Sequence, residues 1–293
     1  MSLLLNDGTQ EAPKLKVYLH TGNLIDLPED SIWPGYCGSE AAERLRADGF
    51  EGVQIHNGKA SLTPDSGLPY CGLDRIGYPE EADSVFARHV DRGDSCITLH
   101  VGWGIEDDDA VDRLIAAVLN AREKHQLPAF IETHRATITQ DMWRTVQMTK
   151  RFPEIRFNGD FSHLYCGQEM VCCFEAKLDF LQPVFDRIGF LHGRIAAPGF
   201  MQAPIEDAES RPRIATGVNY LEHFKQMWIR AMAGFKLSAG PGSVLIFTPE
   251  LLPPGIDYAR VFRDSRVIVR EETDRYAQAL LYKDIARTCF SVA

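Results

Sequence analysis

Short apolar runs rich in Val, Ile, Leu and Phe alternate along this chain with longer stretches whose apolar residues recur at helical spacing. Such alternation is typical of β/α units arranged around a parallel sheet. The apolar runs predict strands at residues 15–20, 52–56, 96–101, 129–132, 155–158, 190–191 and 244–248. The periodic stretches predict helices at residues 39–48, 79–90, 107–125, 139–151, 174–187, 220–237 and 274–289.

An eighth strand would complete a barrel, and the sequence offers residues 267–269 or 200–219 for it, while the Gly- and Pro-rich segment 58–77 is predicted as a loop. An open, doubly wound sheet is the competing architecture, but it usually carries a Gly-rich phosphate-binding turn after its first strand. The turn here reads HTGNLIDLPED and lacks that motif. No linker or repeat interrupts the series, so we predict an α/β fold, a single (β/α)8 TIM barrel over residues 1–293.

Composition narrows the class of protein. A hydrophobic fraction of 45% with 25% charged residues is that of an ordinary globular protein. The formal net charge of -10 would repel a polyphosphate backbone, so nucleic acid is not an expected partner. No signal peptide and no apolar stretch of about 20 residues is found, so we expect a cytoplasmic protein that does not enter membranes. The seven cysteines contain no C-x-x-C pair and are expected to be reduced thiols.

Ionisable residues collect where the predicted strands end, which is where a barrel places its catalytic groups. Later strands end in E-T-H-R at Glu132, D-F-S-H at Asp160, H-G-R at His192 and T-P-E at Glu250. Earlier strands add His20, His56, His100 and Trp103. A lone strand-end histidine is usually structural, and a lone aspartate usually caps the next helix. Because these residues belong to strands that converge on one rim, we interpret them together as a site.

Three carboxylates and an imidazole brought to one point would repel each other or lose their charge unless a cation lay between them. A divalent metal ion meets that need. Mixed oxygen and nitrogen ligands without a thiolate favour Mn²⁺, with Mg²⁺, Co²⁺ and Zn²⁺ as alternatives.

The four motifs resemble those of the xylose isomerase-like superfamily of sugar (phosphate) isomerases and epimerases. The resemblance implies one metal ion held by Glu132, Asp160, His192 and Glu250. It also implies that Glu132 and Glu250 form an acid/base pair on either side of the substrate. It implies further that His163 and Arg194 hold substrate oxygens, and Gln202 lies downstream of the third motif. This superfamily also contains dehydratases, lyases and endonucleases, so the resemblance leaves the reaction open.

The leading hypothesis is a metal-dependent isomerase or epimerase that acts on a small sugar or related polyol ketone or aldehyde through an enediolate. Further candidates for substrate contacts are His100, His134, Gln202 and Trp103, the last as a stacking platform. A metal-dependent lyase or dehydratase and a non-catalytic sugar-binding barrel are the alternatives. An endonuclease is disfavoured, because Arg211 and Arg213 form only a small basic cluster in an acidic chain. Homo-oligomerisation through the helices at 220–237 and 274–289 is also possible.

Overall fold

Eight parallel strands close into a barrel in strict chain order in the computed structural model, which describes residues 3–55, 67–208, 218–256, 258–263 and 269–293. The strands are β1 (Lys14–His20), β2 (Gly52–Gln54), β3 (Tyr70–Ile76), β4 (Ile97–Val101), β5 (Ala129–Glu132), β6 (Phe157–Gly159), β7 (Ile188–Gly193) and β8 (Val244–Pro249). Parallel pairing of β8 with β1, with Lys14 opposite Val244, closes the ring. The predicted barrel is therefore confirmed, and the open sheet is excluded.

Helices follow the strands on the outside of the barrel. They are α1 (Gly38–Ala47), α2 (Ala82–Arg92), α3 (Asp108–His125), α4 (Met142–Arg151), α5 (Phe161–Gly167), α6 (Phe174–Phe185), α7 (Tyr220–Ser238) and α8 (Arg275–Val292). Asp107, Asp141 and Asn219 cap three of these helices, each accepting a hydrogen bond from a backbone N–H of the first turn. No helix in the described ranges combines the length and the apolar character needed to cross a membrane.

All seven predicted strands are present, but both proposed places for the eighth were wrong. The missing strand is β3, which lies inside the segment predicted as a loop. Its sequence, YCGLDRI, follows Pro69 and contains glycine and two charged residues, so it lacks the apolar run used to find the other strands. The charged pair, Asp74 and Arg75, lines the cavity described below. The strand was therefore missed because glycine and charged residues interrupt its apolar ones.

The two segments proposed for that strand lie elsewhere. Val269 begins β10 (Val269–Glu271), which pairs antiparallel with β9 (Val261–Arg263) in a separate two-stranded sheet. Residues 264–268 fall outside the described part of the chain. Residues 200–208 and 218–219 contain no strand, and residues 209–217 are not described.

The inside of the barrel is apolar at one end and polar at the other. Seven buried side chains and the neighbouring Leu4 and Leu5 form the apolar floor; the seven are Tyr18, Cys71, Cys96, Phe130, Phe190, Val244 and Ile246. Side chains of a strand alternate between its two faces, so the residue two positions later points inward again. Two positions after four floor residues stand His20, Glu132, His192 and Thr248, all buried. The two-residue repeat of inward-facing side chains thus places a polar layer next to the apolar floor.

Gly193, the middle residue of the H-G-R motif in β7, leaves room for the ring of Phe247 in β8. A Cβ atom there would lie 2.3 Å from the Phe247 ring. We expect Gly193→Ala to lower the free energy of unfolding by about 1–3 kcal/mol through overpacking. Gly167→Ala, where a Cβ atom meets nothing within 4 Å, is the matched control and should be neutral or stabilising. Urea unfolding of both variants checks this; equal stabilities would contradict the packing argument.

Candidate metal centre

Four side chains from four different strands converge on the polar layer. Glu132 ends β5, Asp160 follows β6, His192 lies in β7 and Glu250 follows β8. Each offers one potential ligand atom, and these atoms all lie within 4.8 Å of one another. All four residues are buried. The structure therefore brings together the four residues that the sequence motifs had named.

His192 turns its Nδ1 atom toward the carboxylates. Nδ1 lies 3.1 Å from Oε2 of Glu250 and 3.3 Å from Oε2 of Glu132. Nε2, on the other side of the ring, is 2.8 Å from Oε1 of Gln54 and is hydrogen-bonded to it. Nδ1 has no partner with hydrogen-bond geometry in the described part of the chain. A nitrogen that faces two carboxylate oxygens at this distance is placed to ligate a cation together with them.

Arg194 supplies a positive charge to the same cluster. Its Nη2 donates to Oδ2 of Asp160 at 2.8 Å and also to Oε2 of Glu250. Its Nε and Nη1 are buried and have no hydrogen-bond partner among the described residues. Its guanidinium lies 4.8 Å from the centre of the Tyr258 ring. The side chain thus pairs with two carboxylates through one positive charge and keeps two donors for another group.

Three further polar residues hold the two glutamates in place. Oε1 of Glu132 lies 3.1 Å from Nε2 of His100, and its Oε2 accepts from Nδ2 of Asn158 at 3.1 Å. Oε1 of Glu250 lies 3.6 Å from Nε2 of His20. These contacts fix both carboxylates on rigid strand ends rather than on a mobile loop.

Asp160 has two functions at once. Its Oδ1 accepts from the backbone N–H of Ser162 at 3.0 Å and thereby caps α5, while Oδ2 faces Arg194. The helix cap that sequence reasoning offered as the ordinary explanation for this aspartate is therefore real. It does not exclude a second role, because each carboxylate oxygen has its own partner.

Burial and neighbouring charges set the ionisation of the three carboxylates. Burial raises the pKa of Glu132 and of Glu250, but nearby histidines and, for Glu250, Arg194 lower both below the ordinary range. For Asp160 burial outweighs the effect of Arg194, so its pKa is raised. The glutamates are therefore anionic near neutral pH.

The histidines of the site divide into two electrostatic classes. Burial lowers the pKa of His192, but Glu250 and Glu132 raise it more, to about 9. Burial lowers the pKa of His134 to about 3 and that of His163 well below its ordinary value. His134 and His163 are therefore neutral near pH 7, and His192 is positively charged unless a cation replaces its proton.

A divalent cation fits this set of donors. Without one, three carboxylates face two positive charges, on His192 and Arg194, which leaves one negative charge in a buried site. A divalent ion that displaces the His192 proton brings the sum to zero. Three hard oxygens and one imidazole are common ligands of Mn²⁺, Co²⁺ and Zn²⁺. The residues thus match a metal site in geometry and in charge.

Metal binding should release a proton in the range where His192 is charged. Because the cation needs the neutral ring and the pKa is about 9, we expect about one proton released per Mn²⁺ at pH 7. The affinity should rise by about tenfold per pH unit between pH 7 and 9 and stop rising above that range. Calorimetry in buffers of different ionisation enthalpy measures the proton count. Binding without proton release at pH 7 would contradict this prediction.

A cavity of about 330 Å³ opens above the cluster. Glu132 and Glu250 form part of its wall, whereas Asp160 and His192 lie outside its lining. The other lining residues are Leu73, Asp74, Arg75, His100, His134, His163, Arg194, Leu252, Ile256 and Tyr258. The imidazole rings of His100, His134 and His163 follow one another at centroid distances of 4.4 and 3.8 Å. The cavity therefore offers a row of imidazoles beside the two glutamates.

His100, Glu132 and His134 also lie close enough to one another to suggest a second metal site. The tautomer of His134 opposes this interpretation. Its Nδ1 accepts from the backbone N–H of Ala136 at 3.0 Å, so in the neutral ring Nε2 carries the hydrogen. His134 then presents a donor toward the cavity and not a lone pair.

Two predicted substrate contacts lie away from the cavity lining. Trp103 is 48% exposed, and its ring packs against the guanidinium of Arg75 at 4.6 Å. Gln202 exchanges two hydrogen bonds with the backbone of Leu252, at 2.6 and 3.2 Å. The structure thus gives Trp103 and Gln202 other partners, and their roles toward a substrate stay predictions. His56, Arg211 and Arg213 lie outside the described residues.

Sequence reasoning missed several residues of the site: Gln54, Arg75, Asn158 and Tyr258. Gln54 and Asn158 are polar residues inside short strands, and this placement is a usable signal, because a buried strand position rarely carries an amide without a hydrogen-bond partner. Arg75 was missed because β3, the strand that carries it, lies in the segment predicted as a loop. Tyr258 lies in the segment after β8, and no sequence pattern marks it.

Comparisons with known proteins agree with the fold. No protein-family model matches the sequence. Curated proteins likewise give no match. Among solved structures, the barrel is similar to the probable 3-DHS dehydratase AsbF of Bacillus anthracis, described as involved in petrobactin synthesis, with a TM-score of 0.50, 13% identity and coverage of 80% of this chain and 92% of that one. Protein SMc04130 of Sinorhizobium meliloti 1021 gives a TM-score of 0.47, 14% identity and coverage of 94% and 96%.

The likeness to AsbF is one of fold. It supports the barrel architecture and carries no residue roles at this level of identity. Membership of the xylose isomerase-like superfamily, inferred from the four motifs, stays a prediction.

Proposed function

We propose that this protein is a metal-dependent isomerase or epimerase of a small polyhydroxylated aldehyde or ketone. The observation that carries the proposal is the arrangement of Glu132 and Glu250. Both line the cavity, and both also belong to the buried four-residue cluster with Asp160 and His192. A substrate in the cavity would therefore touch both glutamates and lie directly over the proposed cation.

The chain's own residues supply the remaining steps. A divalent cation held by Glu132, Asp160, His192 and Glu250 would supply Lewis-acid stabilisation of the negative charge that develops on the substrate oxygens of an enediolate pathway. One glutamate removes the proton from the carbon beside the carbonyl, and the other returns a proton. The orphaned donors of Arg194 and the N–H of His134 are suited to hold substrate oxygens. His134 and His163 are neutral near pH 7, so neither adds a positive charge beside the acid/base pair.

The lowered pKa values of the two glutamates suit the role of base but not that of acid. The glutamate that acts as base begins anionic. The glutamate on the other side must take up a proton from solvent before it can return one, and the first then loses its proton to solvent. The same pair could instead remove a proton and expel water from the adjacent carbon. We keep dehydration as a second candidate, since the structurally similar AsbF is named a probable dehydratase.

Incubation of the protein with a panel of candidate substrates in deuterated water tests the proposal. Purified protein with Mn²⁺ is offered aldoses, ketoses and their phosphorylated and carboxylated relatives, and products are followed by NMR and mass spectrometry. Deuterium at the carbon beside the carbonyl with unchanged skeleton mass indicates isomerisation or epimerisation, and loss of water indicates dehydration. A compound that raises the Tm but never exchanges deuterium would instead indicate a non-catalytic binding barrel.

A further inference from the structure

A buried chain of three hydrogen bonds leads from the backbone of β3 to the ring of His192. Gln54, which ends β2, places Oε1 at 2.8 Å from Nε2 of His192. Its own Nε2 lies 2.8 Å from Oγ1 of Thr98 in β4. Thr98 in turn donates to the carbonyl oxygen of Gly72 at 3.4 Å. Gln54, Thr98 and His192 are all fully buried, so these groups have no access to water.

The direction of this chain follows from the Gly72 carbonyl, which can only accept. Thr98 has one hydroxyl hydrogen, and donating it to Gly72 leaves Oγ1 as an acceptor. Gln54 must then turn its NH₂ group toward Thr98 and its carbonyl toward His192. The His192 Nε2 consequently carries a hydrogen, and in the neutral ring the lone pair is on Nδ1, which faces Glu132 and Glu250.

Two other histidines of the site have the same tautomer but present the opposite side of the ring to the site. His20 and His134 each accept a backbone N–H at Nδ1, from Gly22 at 3.2 Å and from Ala136 at 3.0 Å. Their Nε2 atoms therefore carry the hydrogen and point a donor into the site. Of these three rings, His192 is the one whose Nδ1 accepts no backbone N–H in the described part of the chain, and its Nε2 is held by Gln54.

We propose that Gln54 and Thr98 are positioning residues that hold His192 in the tautomer able to bind a divalent cation through Nδ1. This inference rests on the metal site of the proposed function. Among the described residues, the hydrogen bonds of Gln54 and Thr98 lead to His192 and Gly72 and not to the cluster carboxylates, so both act through His192. Partners of this kind fix the ring orientation of a metal-binding histidine, and their loss typically weakens metal affinity by about 10- to 100-fold.

Metal titration of four variants tests the inference. Gln54→Leu, which keeps the volume but removes the acceptor, should weaken Mn²⁺ binding by about 10- to 100-fold. Thr98→Val should also weaken Mn²⁺ binding, but by less. Thr98→Ser, which keeps the hydroxyl, should bind Mn²⁺ as the wild type does. Thr149→Val removes a buried hydroxyl bonded only to its own helix and should bind as the wild type does. Urea unfolding of each variant confirms that the barrel is intact.

The tautomer itself is read from the ¹⁵N chemical shifts of His192. In the zinc-bound protein, Nε2 should carry the hydrogen and Nδ1 should bind the ion. In the metal-free protein, the ¹⁵N shifts of His192 are followed as the pH rises until the ring becomes neutral. Loss of the proton from Nδ1 supports the inference. Loss of the proton from Nε2 overturns it. This measurement decides the matter even if the wild type binds no divalent ion, a result that would overturn the proposed function. Wild-type affinity in Gln54→Leu would also overturn the positioning role.

Discussion

Exchange of Glu132 or Glu250 for glutamine is expected to lower kcat on the true substrate by about 100- to 10,000-fold in each variant. The amide cannot take up a proton, and it is also a poorer ligand for a cation. Both side chains are buried and fixed by neighbours, so no other carboxylate can easily move into their place. Steady-state kinetics and metal content should be measured on the same samples. Loss of the base lowers kcat at unchanged metal content, whereas loss of the ion lowers the metal content as well.

Glu222→Gln provides the matched control for these substitutions. Glu222 lies on the exposed face of α7, where it pairs with Lys225. We expect this variant to keep full activity. Full activity in both Glu132→Gln and Glu250→Gln would refute the acid/base assignment, whatever the metal content.

Arg194→Leu is expected to lower the free energy of unfolding of the metal-free protein by about 3–5 kcal/mol. Removing one partner of a buried ion pair leaves the other charge without compensation, and here Asp160 and Glu250 both lose their donor. A divalent cation can replace the missing charge. Urea unfolding with a chelator and with Mn²⁺ measures both effects.

The metal rescue is judged from the affinity of each protein for Mn²⁺. Mn²⁺ at one hundred times its Kd stabilises any protein that binds it only when folded by about 2.7 kcal/mol. At the same Mn²⁺ concentration, a larger stabilisation of Arg194→Leu than of the wild type means a lower Kd in the variant and indicates that ion and arginine serve the same carboxylates. Arg230→Leu, at the partly exposed pair with Asp179, should cost at most about 1 kcal/mol. If Arg194→Leu with chelator is as stable as the wild type, the counterion role is wrong.

The sequence was informative where a strand is wholly apolar and ends in a charge. The runs before Glu132, His192 and Glu250 are of this kind, because their neighbours are buried on both faces of the barrel. The same rule failed for β3, in which Asp74 pairs with Arg88 and His89 of α2 and Arg75 lines the cavity. A strand that supplies many polar groups to a site loses the pattern by which strands are found.

The sequence also predicted which residues meet at the site better than it predicted the hydrogen-bond and ion-pair partners of each residue. That Asp160, His192 and the two glutamates meet could be inferred from strand order, since parallel strands of a barrel end at one rim. That Arg194 lies on two of these carboxylates could not, because it depends on how a long side chain packs in three dimensions. The contact between Gln54 and His192, 138 positions apart in sequence, is of the same kind.

The apolar floor of the barrel has a kinetic consequence. Leu4 and Leu5 pack against the floor residues Tyr18, Phe130, Phe190 and their neighbours, and the cavity lies on the other side of the polar layer. A cation held by the four residues would sit below any substrate in the cavity and share its exit. Arrival and departure would then be ordered, with the ion entering first and leaving last, and saturating substrate would protect it from chelators.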